Sequence, residues 1–220
     1  MQRASQDKVL IEFSGKPAIQ YSLEAFAHSN SIARIVVVYR DTSQREAIEQ
    51  SLSPEFPDIL TWVEGGNRRQ DSVWAGLQAL DSNCEVVLIH DGARPLVSSH
   101  SIENAARLAR SDRAACIARP VTDTLKEAAP REAAHELRTV DRSRLWAMET
   151  PQAFQADLIR DAYQRVQDSQ SEITDDLSAI EPLGVAVRII ENEGPNPKLT
   201  TPKDIDYVDF LIRKSSSEKH

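Results

Sequence analysis

The chain has 220 residues, enough for one sizeable hydrophobic core, and a formal net charge of −8. That charge argues against a general nucleic-acid binder, whose affinity rests on a basic surface meeting phosphates. No apolar run is long enough to span a bilayer and the start shows no signal-peptide pattern, so a soluble, cytoplasmic protein is expected, with one domain over 1–220.

In chain order, the polar start gives way to apolar residues at Val9, Leu10 and Ile11. Gly15, Lys16 and Pro17 lead into a helix with Pro17 in its first turn and Ile19, Leu23 and Phe26 on one face. The valine-rich stretch from Arg34 to Tyr39 predicts a strand, Asp41, Thr42 and Ser43 cap a helix through Leu52, and Ile59 to Val63 predicts the next strand. A loop with Gly65 and Gly66 opens a helix that buries Val73, Leu77 and Leu80. Val86 to Ile89 is a short apolar run, read as a strand buried on both faces as in a parallel sheet. Ser98 to Ser101 cap a helix through Leu108, and Ala114 to Ala118 is another strand. This alternation predicts an α/β fold with a doubly wound, mostly parallel sheet. From Pro120 to Phe154 the pattern changes to short β-like pieces at Val121–Leu125 and Leu137–Val140 around a polar loop, read as an arm outside the main sheet for a partner subunit. Helical period returns at Leu158, Ile159, Ala162 and Val166 and near Leu177 and Ile180; Val185 to Ile190 is a late strand. Ile205, Val208, Leu211 and Ile212 mark a final helix, and a frayed tail is expected from Ser215.

The run ending in Val86–Ile89 breaks into His90, Asp91, Gly92, Ala93, Arg94 and Pro95. Ligands on open α/β sheets collect just beyond the carboxyl ends of strands. There Asp91 could hold Mg²⁺ through oxygen, Gly92 would let a ligand approach the backbone, and Arg94 could grip a phosphate or carboxylate. An ordinary strand-to-loop turn with a surface Asp–Arg pair would show the same residues. Gly65, Gly66, Asn67, Arg68 and Arg69, with Ser72 in the first helical turn, offer backbone N–H groups, a hydroxyl and guanidinium groups suited to an anion or a base edge. A capped turn with solvated arginines is the plainer reading of that loop. Lys198 precedes the helix cap Thr200, Thr201 and Pro202, which places it in a rigid loop. Asp175 and Asp176 suit a helix dipole without any function. His90 lies in no triad spacing and reads as a strand-end residue. The cysteines, Cys84 and Cys116, lack metal-site spacing and read as buried free thiols. Together, Lys8, Arg69, Arg94, Arg142 and Lys198, with Asp91 for a metal, would suit phosphoryl-type transfer, which needs positioning and charge stabilisation more than a nucleophilic side chain.

These pieces resemble, over nearly the whole chain, the 2-C-methyl-D-erythritol 4-phosphate cytidylyltransferases of the non-mevalonate isoprenoid route. They stand in family order: Lys8; Gly65 and Gly66 with Arg69, Ser72 and Val73; His90 to Pro95; Pro120 to Lys126; Thr139 to Arg142; Thr150 to Phe154; Thr174 to Asp176; and Pro197 to Thr200. The resemblance implies a Rossmann-like nucleotidyltransferase fold and transfer of a cytidylyl group from CTP to methylerythritol phosphate, with release of pyrophosphate. It also implies a homodimer whose arms embrace. Lys8 would stabilise transition-state charge, and Arg142 and Lys198 would position the acceptor. Gly66, Asn67 and Ser72 would contact cytosine and ribose, Asp91 the Mg²⁺, and Arg94 and Thr124 the second substrate. Arg69, Gly92 and Thr150 complete the substrate-binding set, to which Asp91 also belongs.

Enzymes of this kind begin with an apolar strand and a glycine-rich loop ending in arginine-methionine, and Met1 matches that methionine. Translation from an upstream start, or a fragmentary record, is therefore expected. The alternatives are a ribitol 5-phosphate cytidylyltransferase, differing in its acceptor pocket, and a catalytically dead dimerising or nucleotide-binding descendant. Glycosyl transfer from a sugar nucleotide is more remote, because its acid-x-acid motif is missing beside His90, Asp91 and Gly92.

Overall fold

The computed structural model describes residues 7–128 and 137–217. The opening segment through residue 6, the tip of the arm at 129–136 and the end of the tail at 218–220, on all of which sequence expectations fell, lie outside them. Local chemistry sets most boundaries. After a 3₁₀ turn at Lys8–Leu10, β1 (Glu12–Phe13) and β2 (Lys16–Pro17) form a tight hairpin. Its two central residues, Ser14 and Gly15, both have positive φ (50° and 81°), the twist that a two-residue hairpin turn demands. Pro17 is the N-cap of α1 (Ala18–Ala27) rather than part of its first turn. β3 (Ile35–Tyr39) leads to α2 (Thr42–Ser51), capped by the Asp41 carboxylate on Gln44 N. β4 (Leu60–Glu64), α3 (Arg69–Gln78), β5 (Val86–Ile89) and α4 (Ser99–Asp112) follow, and Ser98 caps α4 through Ser101 N.

The chain continues through β6 (Ala114–Pro120), a two-residue ladder of β7 (Lys126–Glu127) with β8 (Arg138–Thr139), and β9 (Trp146–Gln155). α5 (Ala156–Ser169), α6 (Asp176–Ile180), β10 (Arg188–Glu191) and α7 (Pro202–Ser217) complete it. Four strands stand in the order β10–β6–β9–β5, and β3 and β4 form a separate parallel pair. β10 runs parallel to β6, whereas β9 runs antiparallel to both β6 and β5.

Three expectations are corrected here. Residues 146–155 do not belong to an excursion outside the sheet: they form its longest strand, between β5 and β6. Polar Glu149, Thr150 and Gln152 hide this strand from a hydrophobic-pattern reading, yet all three are buried because their polar atoms find partners. β5 pairs antiparallel, not parallel, and only Val87 in it is fully buried. α7 reaches Ser217 rather than fraying at Ser215.

Alternation along β5 assigns its two faces. Val86 and Leu88 pack with Ala105 and Ala109 of α4, whereas Val87 and Ile89 pack with Leu77 of α3 and with Ile159 and Tyr163 of α5. The sheet is therefore covered on both sides, as a doubly wound fold requires. Phe154, fully buried on β9, joins α5 to the strands. Phe154→Ala should cost about 3–5 kcal/mol of stability by urea unfolding, with little change in m-value, because the cavity left behind adds to the lost transfer energy.

Candidate functional site

Asp91 stands one residue beyond His90 at the carboxyl end of β5, and three cationic side chains converge on it, one from its own turn and two from distant segments. Lys198 Nζ lies 2.8 Å from its carboxylate, Arg94 Nε 3.5 Å and Arg69 Nε 3.7 Å. Burial alone would raise the Asp91 carboxyl, but these cations outweigh it and hold the group below the usual carboxylate range. Each cation is itself fixed. Arg94 Nη1 donates to Asn196 O at 2.7 Å. Lys198 is followed by buried Leu199, whose N–H donates to Ala93 O at 2.9 Å, so the two loops are laced together beside Asp91. The Asp204 carboxylate accepts from the backbone and hydroxyls of Thr200 and Thr201, and Lys8 Nζ donates to Thr200 O at 2.8 Å. Lys8 thus belongs to the same wall as Lys198.

Arg69 is placed by residues that pattern reading missed. Its Nη1 and Nη2 donate to the two oxygens of Asp176 at 2.9 and 2.6 Å, and Tyr163 Oη donates to the same carboxylate at 2.5 Å. Asp176 is fully buried, a position a carboxylate occupies only when paired. Sequence reading took it for a dipole-matching acid; the one available signal was a tyrosine on the apolar face of the preceding helix. Burial works against the charge on Arg69, yet the Asp176 pair dominates and raises its pKa.

His90 explains the local backbone. Its Nε2 lies 3.2 Å from Arg94 O and its Nδ1 3.0 Å from Thr150 Oγ1, which also accepts from Asp91 N at 3.1 Å. One neutral tautomer satisfies every group: Nε2–H donates to Arg94 O, and Thr150 Oγ–H donates to Nδ1. Burial pushes the imidazole down from 6.5 to about 4. Thr150 therefore shapes the turn at Asp91 from β9. Beside it, buried Asn196 Nδ2 donates to Thr150 O and to Glu149.

The glycine loop sits at the start of α3. A side chain on Gly66 would meet Asp71 Cβ at 2.4 Å and one on Gly65 would meet Ser72 Oγ at 2.7 Å, so glycine is needed for the loop to fold onto the helix. Ser72 Oγ accepts from Gly66 N at 3.1 Å, Arg68 is tied to Asp71, and Asn67 is exposed beside them. Gly92 lies against Ile19 and Val9. Arg142 and Thr124 stand apart from this cluster: both are exposed on the arm, where Arg142 donates to Thr122 O. Cys116 is buried and its thiol is pushed up to about 12 by burial, an inert group; Cys84 is half-buried. Among the described residues no three His, Cys, Asp or Glu side chains gather as a ready-made metal cage. Two polar atoms at the site are buried with no hydrogen-bond partner, Asn196 Oδ1 and Arg94 Nε, the second meeting Asp91 only as the 3.5 Å ion pair.

The family model described as 2-C-methyl-D-erythritol 4-phosphate cytidylyltransferase matches residues 1–214. The chain belongs to that family. The cytidylyltransferase of this name from Halalkalibacterium halodurans is 37% identical over 210 residues, covering 96% of this chain and 90% of the relative. That of Geobacillus kaustophilus is 38% identical over 216 residues, covering 98% and 92%. Among solved structures, the Thermus thermophilus cytidylyltransferase superposes with a TM-score of 0.78 at 30% identity over 96% of each chain. The 4-diphosphocytidyl-2C-methyl-D-erythritol synthase of Anaerococcus prevotii reaches 0.84 at 27% identity, over 94% of this chain and 90% of that one. The α/β fold read from the sequence is that of the family. No helix among the described residues is long and apolar enough to cross a membrane.

Two measurements check this site. Asp176→Ala leaves Arg69 and the Tyr163 hydroxyl without their acceptor in the interior and should cost about 3–5 kcal/mol by urea unfolding, whereas Arg68→Ala, an exposed helix-start pair, should cost under about 1 kcal/mol. His90 gives a pH signature. Its folded pKa is depressed, so between about 6.5 and about 4 the unfolded chain binds a proton that the folded chain refuses. Stability should fall as pH drops through that window, by about 3 kcal/mol from this group, and level off below it. In His90→Gln that part of the slope should vanish.

Proposed function

We propose that this chain transfers the cytidylyl group of CTP to the phosphate of 2-C-methyl-D-erythritol 4-phosphate, giving 4-diphosphocytidyl-2-C-methyl-D-erythritol and pyrophosphate in isoprenoid precursor synthesis. The observation that carries the reading is the convergence of Lys198, Arg94 and Arg69 on Asp91 at a strand end, with Lys8 held on the same loop, in a chain of this family. An acceptor phosphate oxygen attacks the α-phosphorus of CTP, the new P–O bond forms, and the bond to the bridging oxygen breaks as pyrophosphate leaves. The acceptor is itself the nucleophile, so the enzyme contributes placement and positive charge. Lys8 neutralises charge that builds on the triphosphate, and Lys198 holds the acceptor phosphate. Gly66, Asn67 and Ser72 meet cytosine and ribose at the start of α3; Arg69, Gly92, Arg94 and Thr150 shape the remaining walls.

A divalent cation fits this donor set in the manner of Mg²⁺, through one carboxylate with the nucleotide's own phosphate oxygens and water filling the other positions. Asp91 would hold it, and its charge would offset that of the triphosphate. Asp91 is paired with three cations, so its carboxylate changes partners when nucleotide arrives. Arg142 and Thr124 complete the acceptor site from the exposed arm. The arm also carries Leu125 and Leu137, exposed apolar residues suited to an interface, and its position supports a homodimer in which arms embrace. The protein works in the cytoplasm.

Pyrophosphate release from CTP and Mg²⁺, compared with methylerythritol phosphate and ribitol 5-phosphate as acceptors, tests the reading. Release with the first alone supports it, release with the second alone replaces it with the ribitol enzyme, and silence with both favours a non-catalytic descendant. In the active protein, Arg142→Ala and Lys198→Ala should each depress turnover with methylerythritol phosphate about 10²-fold or more, while Arg142→Ala leaves CTP affinity nearly unchanged. Unaltered turnover in Arg142→Ala would remove the arm from the site.

A further inference from the structure

The loop that presents Lys198 has no regular structure of its own. It runs from Asn192, after β10, to Thr201, ahead of α7. A lysine on such a loop keeps one position only if the backbone on both sides of it is fastened. Beyond Lys198 the fastening is buried Leu199, whose N–H donates to Ala93 O at 2.9 Å. Ahead of Lys198 it is buried Asn196, which stands between Pro195 and Pro197. Each proline fixes its own φ and restricts the residue before it, so a stiff piece of chain joins Asn196 to Lys198.

Asn196 is oriented from β9. Its Nδ2 carries two hydrogens; one goes to Thr150 O at 2.9 Å and the other to Glu149 Oε2 at 3.2 Å. Glu149 Oε2 also accepts from Asn192 Nδ2 at 2.8 Å, while Asn192 Oδ1 accepts from Gly194 N at 3.4 Å. The Asn192 backbone N–H donates to Ala118 O on β6 at 2.9 Å. One oxygen of a buried carboxylate therefore grips the loop twice, at Asn192 and at Asn196. The other oxygen faces Arg119, whose Nε lies 3.6 Å away. Asn196 passes the constraint on, because its carbonyl accepts from Arg94 Nη1 at 2.7 Å.

We propose that Glu149 is a positioning residue for binding of the acceptor phosphate, acting through Asn192 and Asn196 on Lys198 and Arg94. The proposal rests on the reading of Lys198 as the group that holds that phosphate. Both loop donors are neutral amides, so what β9 supplies is an acceptor oxygen at a fixed place rather than a negative charge. Glutamine at this position keeps the oxygen and the side-chain length, whereas leucine keeps an apolar filling and removes the acceptor. Loss of the acceptor frees the loop ahead of Lys198 and leaves the start of α3, where cytosine and ribose are read, untouched.

Steady-state pyrophosphate release from CTP and Mg²⁺ with methylerythritol phosphate is measured for Glu149→Gln, Glu149→Leu and Asn192→Ala. Ile48→Ala, which truncates a buried residue of α2, serves as a destabilised control. In Glu149→Leu the KM for methylerythritol phosphate should rise roughly tenfold or more, with the KM for CTP within about twofold of the parent. Glu149→Gln should restore both values. Asn192→Ala should raise the acceptor KM by less, and should add nothing in the Glu149→Leu background, as a shared link requires. Ile48→Ala should lower the urea midpoint and leave the acceptor KM unchanged. Exchange of the Leu199 amide gives a readout independent of turnover: it should quicken roughly tenfold or more in Glu149→Leu, beyond its change in Ile48→Ala, and stay slow in Glu149→Gln. An unchanged acceptor KM in Glu149→Leu, an equal rise for both substrates, or an equal loss in Glu149→Gln overturns the proposal. Should Glu149→Leu not fold, an unchanged acceptor KM in Asn192→Ala overturns it instead. A parent chain that releases no pyrophosphate with methylerythritol phosphate defeats the proposed reaction, and Leu199 exchange then decides by itself whether Glu149 fixes the loop.

Discussion

The ionised carboxylate of Asp91 is the point on which the site depends. It stands where β5 ends, largely withdrawn from water, and keeps its charge only because Lys198, Arg94 and Arg69 arrive from three separate stretches of chain. Withdrawing one carboxylate from water would be costly unaided; surrounding it with cations turns that cost into a means of fixing three loops relative to one another. The excess of positive charge that results is local, in a chain whose net charge is −8. It suits a polyanionic substrate that replaces Asp91 as the partner of these cations.

Around this centre the supports form a graded series. Arg69 is held by Asp176 and Tyr163 in the interior, Arg94 by the Asn196 carbonyl, and Lys198 by a loop that Leu199 anchors and Asp204 fastens. The turn itself is governed by neutral His90 between Arg94 O and Thr150. Rigidity of this kind serves a reaction in which placement and charge supply most of the rate. The arm residues Arg142 and Thr124 are exposed and supported differently from this cluster.

Among the described residues β3 is bonded only to β4 and β5 only to β9, which leaves an edge of each open. Sheet strands normally bury their edge groups in a neighbour, and here the two halves of the molecule meet through α1, α3 and α4 and through residues 7–9 instead. Val86, Leu88 and Ile89 are only partly buried, in a run whose composition predicts full burial. The cavity between β3 and β5 reaches Arg69, Asp91 and Gly92, so it borders the candidate site.

Sequence by itself determined the alternation of strands and helices, the caps at Asp41 and Ser98, the glycine loop before α3, and the polar turn at the end of β5 where the candidate site gathers. These are local matters, written in periodicity, capping side chains and turn residues, and motif order added the family. Tertiary structure alone decided the rest. β9 was hidden because its buried polar residues, Glu149, Thr150 and Gln152, are satisfied only by groups far along the chain. The role of Asp176 was hidden because its partner Arg69 is 107 residues away. Pairing direction along β5 was likewise undetermined by pattern. Hydrophobic period says which face of an element is buried; it does not say which remote polar group will meet a buried charge, because that follows from how the layers pack.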